Sequence, residues 1–236
     1  MARVGQSALM QKHQSSEMAA SVLPPASLDL EASDQRRRIV DAMIDSCAEK
    51  TYAATTITDI VARARISRTT FYKQFDDKRA CFEAAVGHCI EQLQEVAASS
   101  HATEDSPPDA VRKATAAVIG ALAERPGLAQ LLTGDAIAVD PRVIECYRKA
   151  TIPALQGLWS RSDGSAQAHS DPRLAFGKAQ VLILNQIAIG KADRLPELLP
   201  ELVYLAVSPF GGHEAALHQA QLAGESTTSH VASGER

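Results

Sequence analysis

The chain has 236 residues, of which 45% are hydrophobic and 4% aromatic, and it carries a formal charge of −4. That apolar content supports a packed core in one large domain or two modest ones and excludes disorder throughout. No apolar run reaches the ~18 residues of a bilayer span, and the first residues hold no continuous apolar stretch of a secretion signal, so a cytoplasmic protein is expected. Plentiful Ala and Leu favour helix over sheet, and the expected fold class is all-α.

Residues 1–33 are rich in Ser, Gln, Ala and Met, contain Pro24-Pro25 and show no sustained apolar period, which predicts a flexible N-terminal arm. Met18 is a second candidate start alongside Met1. A first helix is expected over about Asp34 to Lys50, with Ile39, Met43 and Cys47 on one stripe and Val40 and Ile44 beside it. Arg36, Arg37 and Arg38 in its first turn either approach a phosphate backbone or simply begin a solvated helix.

The stretch from Thr55 to Lys78 is the most informative. Thr56 stands at an N-cap position with Asp59 three residues on, a capping-box arrangement. Ile57, Ile60, Val61 and Ala64 then fall on one helical face. After Arg65 and Ile66, Ser67 can cap a second helix reaching about Gln74, in which Phe71 and Phe75 face inward. Arg68, Thr69, Tyr72 and Lys73 are thereby left to a partner. A major groove admits a helix, and Arg and Lys suit guanine edges and phosphates.

Asp77 caps a longer helix running to about Ala98, and Ser99 to Pro108 is a polar linker. Further helices are expected over about 109–124, 128–138, 141–160, 173–190 and 196–207, with Pro200 a candidate break in the last. Asp140 and Asp171 each precede a Pro, the order of a helix start. Residues 211–236 are expected to be a C-terminal tail, with Glu214 to Leu222 a candidate helix.

The string from Thr55 to Lys78, with the helix before it, resembles the N-terminal domain of tetracycline-repressor (TetR) family transcription regulators. The matching elements are the Thr55 and Thr56 pair, Asp59-Ile60, the Ile66-Ser67 corner, Thr70-Phe71-Tyr72, Phe75 and Lys78. The chain departs from that pattern where Arg65 and Thr51 replace Gly, and where Cys47 replaces an aromatic.

The resemblance implies a helix-turn-helix domain over 34–80 and a helical ligand-binding and dimerisation domain over 81–210. It also implies a homodimeric repressor, released from double-stranded operator DNA by a small-molecule ligand, and not an enzyme. Carried over residue by residue, it suggests Arg68, Thr69 and Lys73 for base edges, and Thr56, Thr70, Tyr72, Gln74 and Lys78 for phosphates or groove walls. Tyr72 can instead be a partly buried aromatic, and Lys78 a surface charge at a helix start.

Charge fits that division. From Asp34 to Ile90 ten Lys and Arg face eight Asp and Glu, a surplus of two, which leaves the remainder of the chain at −6. Around Arg173 to Ile189 apolar residues cover more than one helical face, as they do from Leu198 to Ala206. A second copy would cover the spare face, with Leu174, Val181, Leu182, Leu184, Leu198, Leu202 and Leu205 at the dimer interface, unless a monomeric core buries them.

Tyr147, Arg148, Trp159 and Phe176 are candidates for a ligand cavity, and each is equally suited to core or surface. Cys47, Cys81, Cys89 and Cys146 include no CxxC pair. No metal and no cofactor are expected. The alternatives are a dimeric ligand-binding or protein-interaction module without operator binding, with Arg65 as the suspect, and a thiol-based redox-sensing regulator.

Overall fold

The computed structural model describes residues 25–100, 106–163 and 169–234, and every regular element among them is a helix. Helix α1 (Pro25–Lys50) begins well before the expected Asp34. Residues 25–33 are therefore helical rather than an arm, while residues 1–24 lie outside the described residues. Pro is tolerated in a first helical turn, and the run after Pro25 contains no breaker.

The chain divides into two compact units at Arg38 and Ile39. In the first, Arg37 pairs with Asp34 at 2.8 Å, one turn away on exposed surface. The second begins with the apolar stripe of α1, where Ile39, Met43 and Cys47 are buried as expected.

Helices α2 (Ile57–Ala64) and α3 (Arg68–Gln74) pack on that stripe through Ile60, Ala64 and Phe71, with Phe75 just beyond α3. Helix α4 (Lys78–Ser100) follows, its start fixed by the Ala80 N–H donating to Asp77 at 2.7 Å. Its buried Phe82, Ala85 and Cys89 continue the same core.

The rest of the unit is α5 (Pro107–Glu124), α6 (Pro126–Gln130), a π turn (Leu131–Asp135), α7 (Ala136–Val139), α8 (Val143–Asp163), α9 (Pro172–Ala188), a 3-10 segment (Ala192–Leu198) and α10 (Leu199–Gly234). The expected linker is shorter than Ser99 to Pro108, because its two ends belong to α4 and α5. Residues 101–105 lie outside the described residues. Asp171 caps α9 by accepting from the Arg173 N–H.

Two features depart from expectation. The helix expected over 128–138 contains the π turn, in which the Ala136 N–H bonds the Leu131 carbonyl five residues back. The expected tail is helical well beyond the candidate Glu214 to Leu222: after a break at Gly212 (φ 75°), α10 runs on and buries Ala216, Gln219 and Ala223. Gln219 accepts from Arg112 at 2.7 Å and donates to Asp109 at 3.1 Å. A contact face built from Ala and Gln gives little hydrophobic signal, which is why its periodicity is weak.

Gly127 sets the spacing between α6 and α1. A Cβ added there would lie 2.4 Å from that of Ala48, so the bare Gly127 backbone is what lets the Ala48 methyl fit against α6. No described helix is long and apolar enough to cross a membrane.

Candidate nucleic-acid interface and ligand cavity

Helix α2 starts in a complete capping box. The Thr56 hydroxyl accepts from the Asp59 N–H at 3.2 Å, and Asp59 accepts from the Thr56 N–H at 2.9 Å. Lys50 donates to the same carboxylate at 2.8 Å. Lys50 first, then Thr56, hold the Asp59 carboxyl well below the usual carboxylate range. Thr56 is thus committed to its helix, although its exposed position leaves it reachable from outside.

The corner between α2 and α3 is a Schellman motif. The Ile66 N–H bonds the Val61 carbonyl and the Arg65 N–H bonds that of Ala62. Arg65 takes the left-handed conformation this needs, at φ 54° and ψ 49°. Thr51 does the same after α1, at φ 78°. These are the two positions where Gly was expected, and each non-Gly residue incurs about 1–2 kcal/mol of strain. The corner is intact nonetheless.

Ser67 then caps α3 by accepting from the Thr70 N–H at 3.0 Å. With Phe71 fully buried, the opposite face presents Arg68, Thr69, Tyr72 and Lys73 to solvent. Tyr72 is 49% exposed and packs edge-on against Phe71, so it is partly supported and partly free. Thr70 and Gln74 are half-buried at the flanks. Among the described residues, Arg68 and Lys73 form no ion pair with a carboxylate.

Lys78 is held differently. Its ammonium donates to the Tyr52 carbonyl at 3.0 Å and the Thr55 carbonyl at 2.9 Å, and lies 4.1 Å from the centre of the Tyr52 ring. Two of its three N–H donors are spent inside the chain. Its first duty is therefore to clamp the turn that precedes α2.

Tyr52 also joins this head to the helices behind it. Its ring packs on Phe82 with 4.4 Å between centroids, and its N–H donates to the Asp135 carboxylate at 2.7 Å. Burial raises the Asp135 pKa, an effect that the Tyr52 N–H partly offsets. Asp135 was not among the expected functional residues. An acid inside the apolar run Leu131 to Val139 is the signal that could have found it.

Behind the head a cavity of about 660 Å³ opens between α4, α5, the π turn, α8, α9 and α10. Tyr147 and Phe176 lie on its wall as expected. Trp159 does not: it is buried and stacks on Phe210, which itself lines the cavity. Arg148 is also absent from the wall, being paired with Glu145 one turn away. The Tyr147 hydroxyl donates to the Leu132 carbonyl, and burial raises its pKa. Among the described residues, no Asp, Glu, Lys, Arg or His lines the cavity.

A second, shallow and almost wholly apolar groove lies on the outside of α9 and α10, lined by Leu174, Val181, Leu182, Leu205 and Leu217 among others. Leu174 is 62% and Val181 64% exposed. Of the other expected interface residues, Leu184 and Leu198 are half-buried outside this groove. Leu202 is only 3% exposed and lines the internal cavity, so it does not belong to an outward face. One helical position separates Leu202 from the exposed stripe, a difference the uniformly apolar sequence conceals.

These features define a helix-turn-helix head followed by a helical body with an internal cavity. Residues 39–85, which hold the helix-turn-helix, match the family model of bacterial regulatory proteins, tetR family. No curated protein matches the chain.

Among solved structures, the fatty acid degradation regulator FadR from Bacillus halodurans superposes with a TM-score of 0.62 at 18% identity, covering 75% of this chain and 95% of that one. The transcriptional regulator FadR from Bacillus subtilis, in complex with stearoyl-CoA, gives 0.60 at 17% identity, covering 75% and 98%. A TetR family regulator from Marinobacter aquaeolei VT8 gives 0.57 at 16%, covering 84% and 97%. At these identities the likeness is one of fold.

Proposed function

We propose that this regulator is a cytoplasmic homodimer that represses transcription from a two-part operator and leaves the DNA when a small molecule fills its cavity. The observation that carries the reading is the exposed face of α3, where Arg68, Thr69 and Lys73 stand clear on a helix fixed by Ser67 and Phe71. Such a face suits base edges in a major groove, with Thr56, Thr70, Tyr72, Gln74 and Lys78 on the flanking backbone.

The groove on α9 and α10 supports the dimer. Leu174 and Val181 are too exposed for a monomer's core, and the groove carries Arg173 and Lys178 on α9 against Glu201 on α10. A two-fold axis brings each set to the other's partner, which makes the patch self-complementary. The cavity supports the ligand: its volume is that of a small-molecule site, and the Bacillus subtilis neighbour of similar fold is in complex with stearoyl-CoA.

A module without DNA binding loses its main ground, since Arg65 builds the corner instead of breaking it. A thiol sensor finds no support at Cys47 or Cys89, where burial pushes the pKa up to about 11 and about 12. Selection of duplexes from a random library by the full chain tests the proposal. Arg68→Ala is expected to relax preference at one base position by about 1–3 kcal/mol per half-site. Unchanged sequence preference would remove Arg68 from base reading, and failure to select any duplex would remove the operator.

A further inference from the structure

The π turn joins the cavity to the head. Leu132 and Thr133 lie on the cavity wall, while Asp135, at the end of the same turn, holds the Tyr52 N–H. Because the Ala136 N–H bonds Leu131, it does not bond Leu132, its partner in a regular α-helix. The Leu132 carbonyl is taken instead by the Tyr147 hydroxyl, from a residue that also lines the cavity. That hydroxyl satisfies the carbonyl which the π register would otherwise leave without a partner. Remove it, and the turn has a second arrangement available, in which Ala136 bonds Leu132. A change of one residue in register swings a side chain by about 100° about the helix axis, enough to carry Asp135 away from Tyr52.

The wall also limits what removes it. A charged ligand would meet no counter-charge among the described residues of the wall. Thr115 and Thr133 spend their hydroxyls on the Val111 and Ala129 carbonyls. A ligand oxygen that accepts from Tyr147 would compete directly with Leu132.

We infer that the cavity takes an uncharged, largely apolar ligand bearing a carbonyl-type oxygen, and that this oxygen draws the Tyr147 hydroxyl from Leu132, converts the π turn to α register and releases Tyr52 from Asp135. The inference rests on the ligand-released repressor reading above. It makes the turn a two-state element biased by the cavity on one side and by the head on the other.

The test uses the full chain as wild type, Tyr147→Phe and Asp135→Ala, a duplex selected by the wild type, and three probes of equal chain length: 2-undecanone, undecane and undecanoate. Duplex affinity and hydrogen exchange at the Tyr52 amide are measured. Tyr147→Phe, which loses only the hydroxyl, is expected to bind the duplex about fivefold more weakly than wild type without any probe, with Tyr52 exchanging faster. In the wild type, 2-undecanone is expected to reproduce both changes, and undecane and undecanoate neither. Asp135→Ala is expected to bind 2-undecanone as the wild type does, yet show less than about a twofold response of duplex affinity. A Tyr147→Phe chain that matches wild type in both measurements overturns the switch, as does a wild type whose Tyr52 exchange ignores 2-undecanone. An equal response to undecanoate overturns the ligand class. If the wild type selects no duplex, it is the underlying repressor reading that fails.

Discussion

The ammonium of Lys78 lies over the ring of Tyr52 and bonds the carbonyl of the same residue, so one side chain is gripped through its face and its backbone together. The turn from Thr51 to Thr55 contains no regular helix of its own, and Lys78 also holds its far end at Thr55. Lys78→Met keeps the aliphatic stem and deletes the charge. Two charge-assisted bonds and one ring contact vanish, which predicts a loss of about 2–3 kcal/mol in urea unfolding. A variant as stable as wild type would mean that water replaces the clamp without penalty. If the third donor reaches a phosphate, the same variant binds all duplexes more weakly and flattens the salt dependence.

Thr51 and Arg65 are the only non-Gly residues with positive φ among the described residues. Replacing either with Gly relieves left-handed strain and loses some unfolded-state restriction, a net stabilisation of about 1 kcal/mol each. In a chain of this size that raises the melting temperature by about 2–4 °C per site. Ala at either position keeps the Cβ and is expected to give no such gain. Calorimetry on the four single variants decides it, and a Gly variant that melts lower would point to a role for the side chain itself.

Val181 and Leu202 are both apolar, and the structure assigns them opposite fates. Val181→Asp places a charge on an exposed groove, so the protein is expected to stay folded and sediment as a monomer. Leu202→Asp buries that charge and is expected to unfold the chain. Sedimentation velocity and circular dichroism separate the outcomes. A Val181→Asp chain that still sediments as a dimer would move the interface elsewhere.

The thiols offer a check on burial. Cys47, Cys81 and Cys89 are buried, and Cys146 is exposed. At pH 8, Ellman's reagent is expected to label Cys146 promptly in the native chain and the other three only on unfolding. Rapid labelling of Cys89 would show that the core beside α4 opens readily.

The head was legible because its signals are local. Thr56 and Asp59, Ser67, and the spacing of Phe71 and Phe75 act within one or two turns, and both departures from Gly fell at positive φ. The body was harder to read. Its helices are rich in Ala and Leu on several faces, so periodicity did not separate the inward Leu202 from the outward Val181. Arg148 and Trp159 were chosen by residue type, and type alone does not reveal that one is paired at the surface and the other packed behind the wall. The roles of Asp135 and Tyr52 depend on contacts across some eighty residues of chain, which no local pattern encodes.

Gly127 gives the helix that ends in Asp135 a fulcrum. At that point the α6 backbone sits directly against the Ala48 methyl, with no space for even a Cβ on residue 127. Eight residues later the same helical stretch touches the head again, now through a single 2.7 Å bond. The lever arm is roughly 12 Å, so a tilt of about 5° moves its tip by about 1 Å, enough to part donor from acceptor. Distance along the helical stretch does the amplifying: a slight tilt at Gly127 is enough to part Asp135 from Tyr52.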